Sequence, residues 1–542
     1  MSESMFSHNK KVNLSHCSKP GPLVSSLALA ISTGFIFDVN AQEVNLDSLV
    51  VEESQIAADD NPYAESGVPY KAKKLSDSKR SRDIADTPAT MTVLTKESID
   101  DSGKTELKDI LSAQPGITLG TGEGGNSFGD RYIIRGYEAR SDVFTDGLRE
   151  PGLISRDTFA LEQLEISKGP NSTFAGRGST GGAVNSVTKK ASLEDDFVNL
   201  SVGAGTDNYQ RYTIDGNKVV NDDLAVRANL LVAEKDVPER DPAGEKRMGA
   251  LLSSVYQASD DLKLAADYYH YQSDDIPDVG TYLVDGKPNT EQGYPGIEDL
   301  DFQRSQADTL TITIDKSLNE NVRLENKSRY GVTSNEYIMT TKRSNGDDRT
   351  FAGWQDNKYL GNQTNLIIDQ QIAGQRHTII SGVELAQEKV LGATSAYAQL
   401  IAGGAYDIDF TTNTATKLDA QTDYQLNTVS AYLMDTITLN ADWEVFGGLR
   451  YDYFQYDLAI AASEGRSGTV PASSYAFEDG FLNGHLGVVY SPWQNGNVYA
   501  NWSTSSNING GEADSASNCG YGGICTDEDG NYQNAKPEQS RN

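Results

Sequence analysis

The sequence predicts a transmembrane antiparallel β-barrel preceded by a small α+β domain. About thirteen segments beyond residue 196 alternate apolar and polar residues, the period of two that marks strands with one apolar face. Their connections alternate as well, with tight polar turns at one rim and long loops at the other, the rhythm of an outer-membrane barrel. Beyond the first forty residues no apolar run reaches the roughly 20 residues of a spanning helix. A membrane can then be crossed only by closed strands.

Composition sets the outer limits. The chain has 542 residues, 50 Gly, 27 Tyr and a formal net charge of −32, with a mean hydropathy of −0.51. This length calls for at least two structural units. The acidity excludes a nucleic-acid partner, since phosphate contact needs a basic face. At the start, Lys10, Lys11 and Lys19 precede the run "GPLVSSLALAISTGFIF", and Val39-Asn40-Ala41 closes it on a small residue. Residues 1–41 therefore read as a secretory signal rather than an anchor, because Ser and Gly interrupt the run. Cys17 lies ahead of the apolar run, away from any lipoprotein cleavage site. The remaining cysteines, Cys519 and Cys525, lie in "SNCGYGGICTDEDG" and are expected to close a small-loop disulfide in an exported chain. Zinc is the weaker reading, the five histidines (8, 16, 270, 377, 485) being far away in sequence.

Residues 42–75 are polar, carry Pro62 and Pro69 and read as a flexible segment with one apolar island, "LDSLVVEES". Residues 76–192 read as the α+β unit. "TMTVLT" is a short strand, "TKESIDDSGKTELKDILSAQPG" has capped, helix-spaced apolar positions, and "RYIIRGY", "SDVFTDG" and "LEQLEIS" are short strands between turns. The unit ends in "AGRGSTGGAVN" (175–185), whose Gly176, Gly178 and Gly181 have dinucleotide-binding spacing. That motif needs a strand entering the first glycine and a helix leaving the last. Here Lys168-Gly169-Pro170 cuts off the strand, and the β-branched "AVNSVTKK" that follows suits a strand. "GNSFG" (125–129) matches a nucleophile elbow at Ser127, without the apolar strand such an elbow requires.

The barrel strands are expected near 196–204, 208–217, 223–234, 246–257, 262–271, 307–315, 321–332, 361–372, 375–388, 426–438, 442–455, 478–491 and 496–505, with long loops at 272–306, 333–360, 389–425, 456–477 and 506–537. "TLTITID" sets Leu310, Ile312 and Ile314 against Thr309, Thr311 and Thr313. "WEVFGGLRYDYF" sets Trp443, Val445, Leu449, Tyr451 and Tyr453 against Glu444, Arg450 and Asp452. Trp443, Trp493 and Trp502 fall near strand ends, where membrane interfaces collect aromatics. A secreted sandwich also alternates, yet seldom with strands this long and loops this one-sided.

In this order the segments resemble the TonB-dependent outer-membrane receptors, most closely their catecholate-siderophore branch. "DSLVVEE" (47–53) looks like the TonB box, "ADTPATMTVLTKESIDDSG" like the start of the plug, "IIRGY" like the I-R-G motif and "DGLRE" (146–150) like D-G-x-R. "LEQLEISKGPNSTFAGRGSTGGAVNSVTKK" resembles the last plug motif, and "NVYANWS" and "KPEQS" barrel motifs. Ala175 departs from the tyrosine usual before that glycine, which bears on local packing. The resemblance implies an α+β plug inside a barrel over 193–542, in a family whose barrels close with 22 strands. The odd count of thirteen then implies an incomplete barrel and a chain continuing past Asn542.

The function implied is import of a ferric siderophore, of catecholate class, across the outer membrane of a Gram-negative bacterium. It is driven by TonB with its inner-membrane energising complex and proton-motive force, and involves no enzymatic step. No cofactor is expected, the iron travelling within the ligand. Haem, vitamin B12, citrate or hydroxamate siderophores are alternatives, as is a passive porin. Asp47, Ser48, Leu49, Val50, Val51 and Glu52 would add as a strand to the edge of a TonB sheet. An anionic ligand on an acidic protein needs a locally basic or aromatic pocket, for which Asn126, Phe128, Tyr137, Arg140, Arg149 and Arg156 are the candidates. Arg135 is assigned to a plug-to-barrel salt bridge. Gly136, Gly169, Gly176, Gly181 and Gly182 are assigned to plug turns and close approaches.

Overall fold

The computed structural model describes residues 61–542 apart from 66, 121–129, 140–141, 151, 153, 285, 290–292, 344–345, 397–403, 466–467, 494–495 and 509–536. They belong to one compact unit, Ile56–Asn542. The signal segment, the TonB-box residues Asp47 to Glu52, Asn126, Phe128, Arg140, Cys519 and Cys525 lie outside the described residues.

The N-terminal domain is built on a five-stranded sheet in the order Met91–Thr95, Leu161–Lys168, Gly182–Thr188, Val143–Thr145, Leu148–Arg149. The Gly182–Thr188 strand runs antiparallel to Leu161–Lys168 and parallel to Val143–Thr145. The helices Lys96–Asp101 and Leu107–Ser112 follow the first strand, and the Thr95 hydroxyl caps the first helix by accepting from the Ser98 N–H at 3.3 Å. They place Ile99, Leu107 and Leu111 in a core with Tyr132, Ile134, Val143, Leu164, Ile166 and Val184. Each such fully buried side chain stabilises by roughly 1.5–3 kcal/mol.

Both short plug motifs are hairpin turns. Arg135 and Gly136 of the I-R-G motif connect Tyr132–Ile134 to Tyr137–Glu138 with φ of 50° and 87°. Asp146 and Gly147 of the D-G-x-R motif connect Val143–Thr145 to Leu148–Arg149 with φ of 52° and 81°. Two consecutive left-handed residues make the turn whose twist matches a hairpin, and X-Gly supplies it at least steric cost.

Among the described residues the barrel sheet has fourteen strands, each hydrogen-bonded to the next in sequence, from Phe197–Ala204 to Glu538–Arg541. All thirteen expected strands are present. The fourteenth, Glu538–Arg541, pairs with Gly496–Asn507 through Thr504 to Asn507. The count among the described residues is therefore even, and strand parity says nothing about where the chain ends. Many strands also run further toward the long-loop rim than alternation indicated. The expected loop 333–360 is mostly strand, Val322–Lys342 followed by Asp348–Ile372. There Ile338 and Trp354 pack under Leu300 and Tyr406 from neighbouring connections, so the apolar side no longer alternates toward lipid.

The wall is apolar outside and polar inside. Leu310, Ile312 and Ile314 are 44%, 45% and 37% exposed, whereas Arg450 and Asp452 in Trp443–Ile460 are each 1% exposed. Among the outward aromatics, Trp443 stacks on Tyr490 with centroids 4.3 Å apart.

Candidate functional site

The plug meets the barrel wall through charged and polar side chains. Arg211 of the wall grips Asp157 of the plug with two hydrogen bonds of 2.8 and 2.7 Å, the fork geometry that strengthens guanidinium–carboxylate pairs. Lys190 bridges Asp146 at 2.7 Å and Asp267 of the wall at 2.8 Å. Although burial opposes it, Lys190 and Arg329 hold the Asp146 carboxyl below its ordinary range. Arg177 pairs with Glu388 at 2.5 Å, and both are nearly fully buried. Lys189 meets Asp215 at 3.1 Å, and Arg227 reaches Glu162 at 3.4 Å. Burial pushes the Glu162 carboxyl up to about 7 against the pull of Arg227, Lys189 and Lys96.

The glycine-rich stretch that follows Pro170 docks on the barrel strand Gly496–Asn507. The Gly178 N–H donates to the Ser506 carbonyl at 2.9 Å, and the hydroxyls of Ser172 and Ser505 lie 2.7 Å apart. Gly181 admits no larger residue, because a Cβ there would stand 2.0 Å from the Ile134 carbonyl oxygen. Gly169, Gly176 and Gly182 have φ of 103°, 80° and 149° in the same region. A four-residue helix, Ser172–Ala175, precedes the glycines, and the strand Gly182–Thr188 follows them. Ala175 adds no ring here. Phe174, one residue earlier, packs against the wall cluster of Ile367, Ile380, Tyr432 and Met434.

Arg149 and Arg156 are each 6% exposed. Arg149 lies 3.4 Å from Asp142, donates to the Arg177 carbonyl and sits over the Phe144 ring at 4.9 Å. Arg156 lies 3.2 Å from Glu150 and donates to the carbonyls of Ile154 and Gly152. These contacts are internal to the plug, so an anionic ligand would have to compete with them. Tyr137 is half-buried at the end of the I-R-G hairpin. Arg135, expected in a plug-to-barrel salt bridge, is exposed at the turn and makes no ion pair among the described residues. Its motif position serves the left-handed turn instead.

Sequence reasoning passed over the segment that leads into the plug. Along residues 78–86, Ser78 donates to Glu325 at 2.7 Å, Ser81 to Thr436 at 3.1 Å, and Arg82 to Glu444 at 2.9 Å and Thr438 at 3.0 Å. Asn497 donates to the Ala85 carbonyl, and Asn365 to Ser78. These contacts tie the strap to five barrel strands, and in the chain it lies between the TonB-box residues and the plug sheet. The run of serines and basic residues, "SDSKRSR", was the available signal.

A barrel filled by a polar-faced α+β plug defines a class, and comparison with known proteins identifies it. The TonB-dependent receptor plug domain matches residues 83–183, and the TonB-dependent receptor-like β-barrel matches residues 251–542. The chain belongs to the TonB-dependent receptor family, a family of receptors and transporters rather than enzymes. It is 29% identical to the probable TonB-dependent siderophore receptor PiuA of Acinetobacter baumannii, over 96% of this chain and 72% of PiuA. It is 30% identical to the catecholate siderophore receptor Fiu of Escherichia coli K12, over 90% of this chain and 70% of Fiu. The crystal structure of PiuA superposes with a TM-score of 0.77 at 28% identity, over 87% of this chain and 71% of that one. The closed form of Fiu gives 0.77 at 26% identity, over 87% and 72%.

Proposed function

We propose that this protein imports a ferric siderophore of the catecholate class across the outer membrane of a Gram-negative bacterium, with TonB supplying the work. The observation that carries this reading is the 30% identity to Fiu across 90% of the chain. The geometry supports it, because a plug tied to most of the wall blocks passive flow and a driven change must open it. Tight capture of a scarce ligand also requires driven release, nanomolar binding being worth about 12 kcal/mol. The segment Asp47 to Glu52 is the proposed TonB contact, and the strap at 78–86 follows it in sequence ahead of the plug sheet.

Ligand capture is assigned to the long-loop side, with Asn126, Phe128, Tyr137 and Arg140 the remaining candidates beside the internally paired Arg149 and Arg156. The ligand brings the iron, and no resident cofactor is proposed. Growth of a receptor-deletion strain complemented with this protein, on a panel of iron sources, tests the reading. Rescue confined to catecholates is the expected result. Rescue by haem, citrate or a hydroxamate alone would reassign the ligand.

A further inference from the structure

At the short-turn rim, a solvent-open pocket with an interior of about 60 Å³ lies between strap, plug and wall. Its polar lining includes Lys79, Arg80, Arg82, Asn171, His485 and Asp435, the last paired with His377 at 2.7 Å, and its apolar lining includes Phe174, Met434 and Phe446. A second cavity of about 40 Å³, lined by Asp77 and Glu165, adjoins it and shares Arg80, Asn171 and Phe174.

Arg80 is the unusual member. Its guanidinium lies 3.9 Å above the Phe174 ring, and it donates to the Asn171 side-chain oxygen at 2.7 Å. Neighbouring cations have carboxylates, Lys79 with Asp77 at 3.5 Å and Arg82 with Glu444 at 2.9 Å. Arg80 has none within ion-pairing distance among the described residues. Burial draws it below the ordinary arginine range, and Asp77 and Glu165 act on it only from further off. The His485 ring also packs on Phe174, with centroids 4.6 Å apart and its Nδ1 buried and unpartnered among the described residues. Arg80 is half-buried, and a partly desolvated cation without a counterion is costly. A buried ring nitrogen without a partner adds to that cost.

We propose that Arg80 marks a second binding site, at the short-turn end of the lumen, for the charged edge of a small aromatic acid. The anionic oxygens would meet Arg80, while the ring rests against Phe174, Phe446 and Met434. The chemistry fits an arm of a catecholate ligand leaving the plug. To that extent the inference rests on the proposed function, and the site itself does not.

The test is photolabelling of the detergent-purified full-length receptor with 4-azidosalicylate, mapped by mass spectrometry. Label is expected around Pro88, Phe174, Phe446 or His485, competed by 2,3-dihydroxybenzoate and not by uncharged benzamide. Arg80→Gln keeps a donor for Asn171 and removes the charge, so it should cut that label at least tenfold without lowering the thermal midpoint. Undiminished label in the variant, or equal competition by benzamide, overturns the site. A lowered midpoint would show that the charge is already compensated, and overturns it too. Ferric-catecholate binding by the unlabelled wild-type preparation reads the proposed function separately.

Discussion

Glu162 and Arg149 show how single buried charges set the behaviour of the plug. Glu162 rises from 4.5 to about 7 on folding, chiefly through burial, and one of its oxygens has no partner among the described residues. The folded state therefore holds a proton that the unfolded state has released between these values. Stability contributed by that proton is complete below pH 4.5 and is lost as pH rises toward 7, a span on the order of 3 kcal/mol. Glu162→Gln should flatten this part of the stability profile and raise the thermal midpoint at about pH 8, above the folded-state value. An unchanged slope would remove Glu162 from the pH dependence of stability. For Arg149, removal leaves Asp142 buried without its cation, and breaking a pair of this kind costs about 3–5 kcal/mol. Arg149→Ala should thus lower plug stability by that order in thermal unfolding, and Asp142→Asn in the same chain should recover part of it. Full stability of the single variant would leave Arg149 available to a ligand.

At the scale of elements, alternation made every long barrel strand legible, because Leu310, Ile312 and Ile314 must face lipid while Arg450 and Asp452 face the lumen. The same rule failed at 333–360, where the strands extend beyond the lipid-facing band and Ile338 and Trp354 are covered by loop residues. Arg135 departs from its expected salt bridge for a related reason. A motif shows that a residue matters, whereas its positive φ, visible only in the fold, shows why. The strap at 78–86 was missed because serines and basic residues in a polar run look solvated until the wall strands that receive them are known. The TonB-box assignment is a claim about an element as well, since "SLVVEE" is expected to pair as a strand. Val50→Pro removes a ladder donor and fixes the backbone, so it should abolish uptake and spare surface binding of the ferric ligand. Normal transport by this variant, measured on whole cells, would remove the box from the account.

For the molecule as a whole, plug and wall are joined largely by groups water can satisfy, alongside two apolar contacts, Phe174 on Ile367, Ile380, Tyr432 and Met434 and Phe159 on Leu231, Leu251 and Tyr271. Ion pairs such as Arg211–Asp157 and Lys190–Asp267, and hydroxyl contacts such as Ser172–Ser505, exchange for hydration without exposing apolar surface. The apolar core of Leu111, Tyr132 and Leu164 stays inside the plug. A pull on the N-terminal segment then loads the strap first, where Ser81 and Thr436 stand 3.1 Å apart at their hydroxyls. The most direct measurement is uptake of radiolabelled iron from a ferric catecholate by cells carrying Ser81→Cys with Thr436→Cys, oxidised and then reduced. The oxidised receptor is expected to bind the ligand at the surface but not to import it, and reduction to restore import. Undiminished import with the disulfide formed would contradict a strap that must leave the wall.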